Sequence, residues 1–328
     1  MPSNRRSRAA VGALLFALSA AACADDSQLS ATLDSVGTQV DVATAQAGLN
    51  LTVVRSFIAV GPQIEAAFDS YSPALRTTGS TASLLPLLAW GKTFVWSGAE
   101  GRYIESDRTG APPSGSRFIL YAVSGLGVPT TPLTEQGYVD ITRAQNTATV
   151  VIYQTTEVEV MRYDLTTGGT ESVPTFLVDG FAGTGTSRTT FDLSASLVTS
   201  TGNLTQTWST STLSRGLATT VQLAEGPLST TVGGTMRAGV RKIEIGGTLG
   251  TTGAGALPVK VGGKLYGRVL LSGGTPGTTT VTNPLGGPLG AAETTAIAAT
   301  YSWFASSYTK LGMFLAPLYT VLDVDHLP

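Results

Sequence analysis

Carboxylates two residues apart are the residues of this chain best placed to do chemistry. Glu105 and Asp107 form one such pair, and Glu157 and Glu159 form another. On a β-strand, residues i and i+2 share a face with side chains about 6–7 Å apart, within the range a glycoside hydrolase uses for its two acids. The same spacing also arises on solvated strand faces, so a pair becomes a catalytic candidate only where it converges in a cleft. Other reactive groups are scarce. His326 is the single histidine and Cys23 the single cysteine. That leaves no His-dependent triad, no HExxH metal site and no Cys/His zinc site to assemble from the rest of the sequence. Gly91-Lys92-Thr93 ends like a phosphate loop, but Pro86 stands where the first glycine belongs. Asp323-Val324-Asp325 begins like a calcium loop without the residues to complete it. The expectation is a non-enzymatic protein with no cofactor and no bound metal.

Two further sets of residues suggest binding. If Met236–Ile245 pairs with Val259–Leu271 as a hairpin with matched apolar faces, Arg237 falls opposite Arg268 and Arg241 lies near Lys264. Facing cations repel unless an anion sits between them, so this patch is expected to meet the phosphates of a membrane surface. The alternative is a solvated face in another register, with Glu244 as a partner. Further along the chain Tyr301, Phe304 and Tyr308 share one face of a long helical stretch and would line an apolar ligand site.

That stretch, 291–323, is the most periodic in the chain. Ile297, Tyr301, Phe304, Tyr308, Leu311, Leu315, Leu318 and Leu322 recur at steps of four and three, which places them on one helical face. Ahead of it, 273–290 is a connector rich in Gly, Pro and Thr. Residues 92–271 read as strands at period two, separated by turn residues with no helical segment between them, so the sheet should be an antiparallel meander. Two stretches, 228–240 and 259–271, look like strands of more than about 40 Å, with glycines that permit bending. Residues 27–71 read as helical with interruptions: Gly48 ends one helix, Gly61-Pro62 starts another, and the β-branched run at 51–59 keeps a strand open. Together these predict one β-dominated α+β domain, a long curved antiparallel sheet wrapped on the C-terminal helix, with a helical N-terminal segment. Gly234, Ala238, Gly263 and Gly267 would lie on the inner face. They either seat the helix's aromatic side chains or leave depth for a ligand. This design resembles, at the level of architecture, the curved-sheet-over-helix build of bacterial lipoprotein carriers, which implies a lipid-like ligand.

Residues 1–24 carry an address. Arg5, Arg6 and Arg8 precede an apolar run, Ala9 to Leu18, which is too short to span a bilayer. Ala20-Ala21-Ala22-Cys23 resembles the lipobox of bacterial lipoproteins, with Ala20 where that family usually has Leu. The resemblance implies cleavage before Cys23 and lipidation of that cysteine. The competing site is Ala22-Cys23-Ala24, cut before Asp25. The remainder, 25–328, is expected to be a periplasmic or outer-membrane lipoprotein held to the membrane by its anchor, its protein partner not specified by sequence. Twenty basic residues less the three signal arginines leave 17 against 22 acidic ones, a net charge near −5. Such a balance makes nucleic acid a poor partner. With 42% hydrophobic and 13% charged residues the chain has enough apolar side chains for a large core. One cysteine allows no internal disulfide, so stability must come from burial and sheet hydrogen bonding.

Overall fold

The computed structural model describes residues 51–70, 87–185, 188–212, 217–238, 241–273 and 278–302. Helix α1, Thr52–Asp69, comes first. Fifteen strands follow: β1 Lys92–Ser97, β2 Arg102–Ser106, β3 Gly115–Tyr121, β4 Glu135–Ala144, β5 Thr147–Gln154, β6 Glu159–Thr170, β7 Val173–Ala182 and β8 Thr189–Val198. Then come β9 Asn203–Thr212, β10 Leu217–Glu225, β11 Ser229–Ala238, β12 Arg241–Gly250, β13 Ala254–Val261, β14 Lys264–Ser272 and β15 Thr279–Thr282. The described part of the closing helix, α2, covers 291–302.

All fifteen strands belong to one curved, unclosed sheet that runs from β15 at one edge through to β3, β1 and finally β2 at the other. The β-dominated α+β architecture is as the sequence predicts. The pairing differs at one edge: β1 lies parallel to β3, with β2 outside it, so the sheet is mixed. The physical reason is the connection 107–114, with its two prolines, which is long enough to carry the chain from β2 past β1 before β3 begins.

The helix that organises the larger core is α1. It lies over β2, β3, β4 and β5 and buries Val53, Val54, Phe57, Val60, Ile64, Ala67 and Phe68. These follow the three-and-four spacing of one helical face, which decides against a strand at 51–59 despite its β-branched residues. Helix α1 also runs through Gly61-Pro62 instead of restarting there. Pro62 is exposed and sits inside the helix, so the lost hydrogen bond falls on the solvent side. Beneath the helix Phe94 and Phe118 stack at 4.7 Å, and Phe68 meets Phe118 edge-on at 5.2 Å. A second cluster joins β11–β15 to α2 through Met236, Ile243, Val259, Val269, Ala296 and Ile297. Among the described residues the sheet thus holds α1 over β2–β5 and the start of α2 over β11–β15. The expected helix within 27–50 and the closing helix beyond residue 302 lie outside the described residues.

The two very long strands are also corrected. Segment 228–240 contributes β11 alone, and 259–271 is divided by a two-residue turn at Gly262 and Gly263, whose φ values of 57° and 83° are left-handed. Alternation continued through that turn in the sequence because an irregularity follows it. The register shifts between Val259 and Lys260, so that Lys260 pairs with Leu265 and Val259 with Gly267. The shift keeps Val269 and Leu271 on the inner face and moves Leu265, 39% exposed, to the outer one.

Candidate functional site

Neither acid pair lies wholly on one strand. Glu105 is bridged to Lys92 across the edge of the sheet, and Asp107 lies beyond the end of β2. Glu157 is not on a strand: it occupies the β5–β6 turn with φ 59°, while Glu159 begins β6 and is held by Arg162 at 2.9 Å. The shared strand face expected for that second pair is therefore absent. Among the described residues no group of three or more His, Cys, Asp or Glu is arranged to hold a metal ion.

The basic residues are redistributed by the true register. Arg237 pairs with Lys242 across the β11–β12 hairpin, not with Arg268. Lys264 faces Val261 beside the Gly262-Gly263 turn, and Arg268 lies between Pro258 and Thr282 in the middle of its strand. Arg241 opens β12 opposite Ala238. The error has one source: both segments assumed to pair with each other are themselves folded into hairpins. Glu244 is the local carboxylate, 2.6 Å from the Lys242 ammonium.

Two glycines of the inner face are covered by a helix or its lead-in. A Cβ on Gly267 would meet Ile297 Cδ1 at 2.7 Å and Leu289 Cδ1 at 3.4 Å, so the space left by this glycine is filled by α2 and its lead-in. Gly137, likewise, would meet Val53 Cγ2 of α1 at 2.9 Å. Gly263 is in the turn and lines nothing on the inner face. Tyr301 is half-buried against the second cluster, and burial pushes its hydroxyl above the ordinary tyrosine value. Phe304, Tyr308 and Cys23 lie outside the described residues.

On the outer face, sequence reading missed two assemblies that depend on strand register. In the first, Arg117 donates to both carboxylate oxygens of Asp140 at 2.7 and 2.8 Å and lies 3.8 Å over the ring of Tyr138, which stacks on Tyr153 at 4.8 Å. The hydrogen bond to Asp140 raises the guanidinium above its usual value, against the opposing effect of burial. In the second, Asp164, Asp179 and Asp192 stand directly opposite one another on β6, β7 and β8, continuing outward to Thr149 on one side and Ser209 on the other. Thr149 donates to Asp164. Burial raises the Asp192 carboxyl, the Ser209 hydroxyl offsets this, and the charge of Asp179 adds to the rise. The next two rows on one side are Leu177, Ser194 and Thr207, then Thr175, Ser196 and Thr205, in register. This face is a plane of short hydroxyls crossed by a line of carboxylates. The only trace in the sequence is alternation of small polar residues with the core positions; no local motif announces which of them meet.

Comparison of the chain with known protein families, with curated proteins and with solved structures returns no match.

Proposed function

We propose that this chain is a non-enzymatic lipoprotein of the bacterial cell envelope, exported by residues 1–22 and anchored through Cys23. In this reading it works as an interaction platform, not as a carrier of an internal ligand. The observation that carries this is the fit of Ile297 into the space above Gly267, matched by Val53 at Gly137. Small residues on the inner face seat the helices, and close packing of this kind leaves apolar depth occupied by the protein itself. The outer face supplies what a platform needs, a broad, regular array of hydroxyls and carboxylates fixed by backbone pairing across adjacent strands. The charge arrangement supports the absence of chemistry, because Glu105 and Glu159 are each tied up by a cation.

Native mass spectrometry of the protein isolated from a bacterial envelope tests the proposal. The expected result is a chain that begins at Cys23 with acyl mass attached and carries no other adduct. A chain beginning at Asp25 would remove the anchor. A reproducible second adduct of lipid mass, lost on substitution of Tyr301, would replace the platform by a ligand carrier.

A further inference from the structure

Seen along the strands, the two ends of the sheet differ in composition. The connections after β1, β3, β5, β7, β9, β11 and β13 all fall at one end, as an antiparallel meander requires. At that end the β3–β4 loop, 122–134, contains no charged residue. It is nonetheless well organised: Ala122 donates to Thr134 at 2.9 Å, Thr130 to Ala122 at 2.9 Å and Ser124 to Val128 at 2.8 Å. Gly127 closes a turn onto Ser124 at 3.0 Å. The residue held at the tip of this hydrogen-bonded turn is Leu126, 91% exposed. Val128 and Leu133 of the same loop are 41% exposed each, and Val158 in the neighbouring β5–β6 turn is 43% exposed. A turn that uses backbone hydrogen bonds to hold a leucine in water has no stabilising purpose within the fold, because an apolar tip gains only when something covers it.

Cations gather at the same end. Arg237, Arg241, Lys242, Lys260 and Lys264 all fall within three residues of the β11–β12 or β13–β14 turn. Arg237, Lys260 and Lys264 are exposed. Of the opposite connections, 107–114 contains Arg108, while 145–146, 171–172, 199–202, 226–228, 251–253 and 273–278 contain no Lys or Arg. The start of α1 lies at this end too, since Val53 packs beside Gly137 at the start of β4. One half of this end carries the apolar tip, beside Glu135, Glu157 and Glu159, and the other half carries the cations. On a protein of net negative charge this pairing of apolar and basic turns is the complement of an anionic lipid surface, and the asymmetry orients the molecule.

We propose that this end of the sheet docks edge-on to an anionic phospholipid bilayer, with Leu126 and Val158 entering the interface and Arg237, Lys260 and Lys264 meeting lipid phosphates. The surface deepens the envelope reading above and acts without the acyl chain. It is distinct from the patch expected from sequence, since Arg268 lies mid-strand and takes no part.

The test uses the unacylated Cys23→Ser chain and cosedimentation with vesicles of phosphatidylcholine, alone or with about 30% phosphatidylglycerol. The chain should bind the anionic vesicles, and added salt should weaken it. Arg237→Glu/Lys260→Glu/Lys264→Glu should lower binding roughly tenfold or more, and Leu126→Asp/Val158→Asp several-fold. Leu228→Asp is the control, because Leu228 is 79% exposed at the opposite end; it should change nothing. Glu157→Gln, which removes a carboxylate beside Val158, should strengthen binding. All these side chains lie on the surface, and unchanged thermal midpoints verify the fold of each variant. No binding to anionic vesicles, equal binding to both vesicle types, or equal losses for Leu228→Asp and Leu126→Asp/Val158→Asp would overturn the proposal. If the acylated chain binds while Cys23→Ser does not, the docking surface fails and the anchor stands.

Discussion

Asp179 and Asp192 face each other across β7 and β8 with Asp164 beyond, an arrangement that costs a few tenths of a kcal/mol per like-charged pair on an exposed sheet face. The sign of its pH dependence follows from Asp192. Its carboxyl titrates above the ordinary value in the folded state, so the folded chain holds that proton to higher pH than the unfolded chain does. Stability is therefore lost as pH rises from the usual carboxylate range through the raised value, and is recovered as pH falls. Asp179→Asn removes the neighbouring charge. It is expected to raise the thermal midpoint at neutral pH and to flatten its slope between about pH 4 and pH 6, as read by calorimetry across that range. Asp164→Asn should leave this slope nearly unchanged, because the charge that adds to the rise at Asp192 is that of Asp179. This ladder was not legible in the sequence. The three aspartates stand fifteen and thirteen positions apart, and only strand pairing gives those intervals a meaning.

Between helix and sheet, the seat at Gly267 makes a direct prediction. Gly267→Ala forces a Cβ into Ile297 and the carbonyl oxygen of Thr282 and should cost about 1–3 kcal/mol in chemical denaturation. Ile297 is fully buried, and Ile297→Ala should cost about 2–5 kcal/mol. The double variant should lose less than the sum, because each change makes room for the other. Additive losses would mean that the two residues do not share one space. In α1, Pro62 removes a hydrogen bond from the helix interior on its exposed side. Pro62→Ala should therefore stabilise the protein, by about 1–3 kcal/mol less the entropy that proline takes from the unfolded chain. The positions of α1 and of most strands could be read in advance because their apolar periodicity is local. The β13–β14 hairpin could not, since Gly262-Gly263 interrupts the strand while the irregularity after it restores the alternation.

Over the whole molecule, most of the described buried apolar residues fall into two clusters, with Leu204 of β9 and Leu223 of β10 in neither. One lies between α1 and β1–β8, the other between α2 and β11–β15. On the strands between them, β9 and β10, only Leu204 and Leu223 are buried apolar side chains among those described. Cooperativity across the sheet must then pass largely through backbone pairing, and the halves should open separately. In hydrogen exchange, Ile297→Ala is expected to speed exchange in β11–β15 far more than in β3–β6, and Phe57→Ala to do the reverse. Uniform acceleration in both would show a single cooperative unit. From sequence alone, composition and period determined a β-dominated protein with helices at its ends, poor in reactive groups, because these properties are sums or short-range repeats. Tertiary structure alone decided which helix covers which half, which cations and carboxylates become neighbours, and which turns share an end. Those relations join residues tens to hundreds of positions apart through strand register, and a shift of one residue in register moves a side chain to the other face.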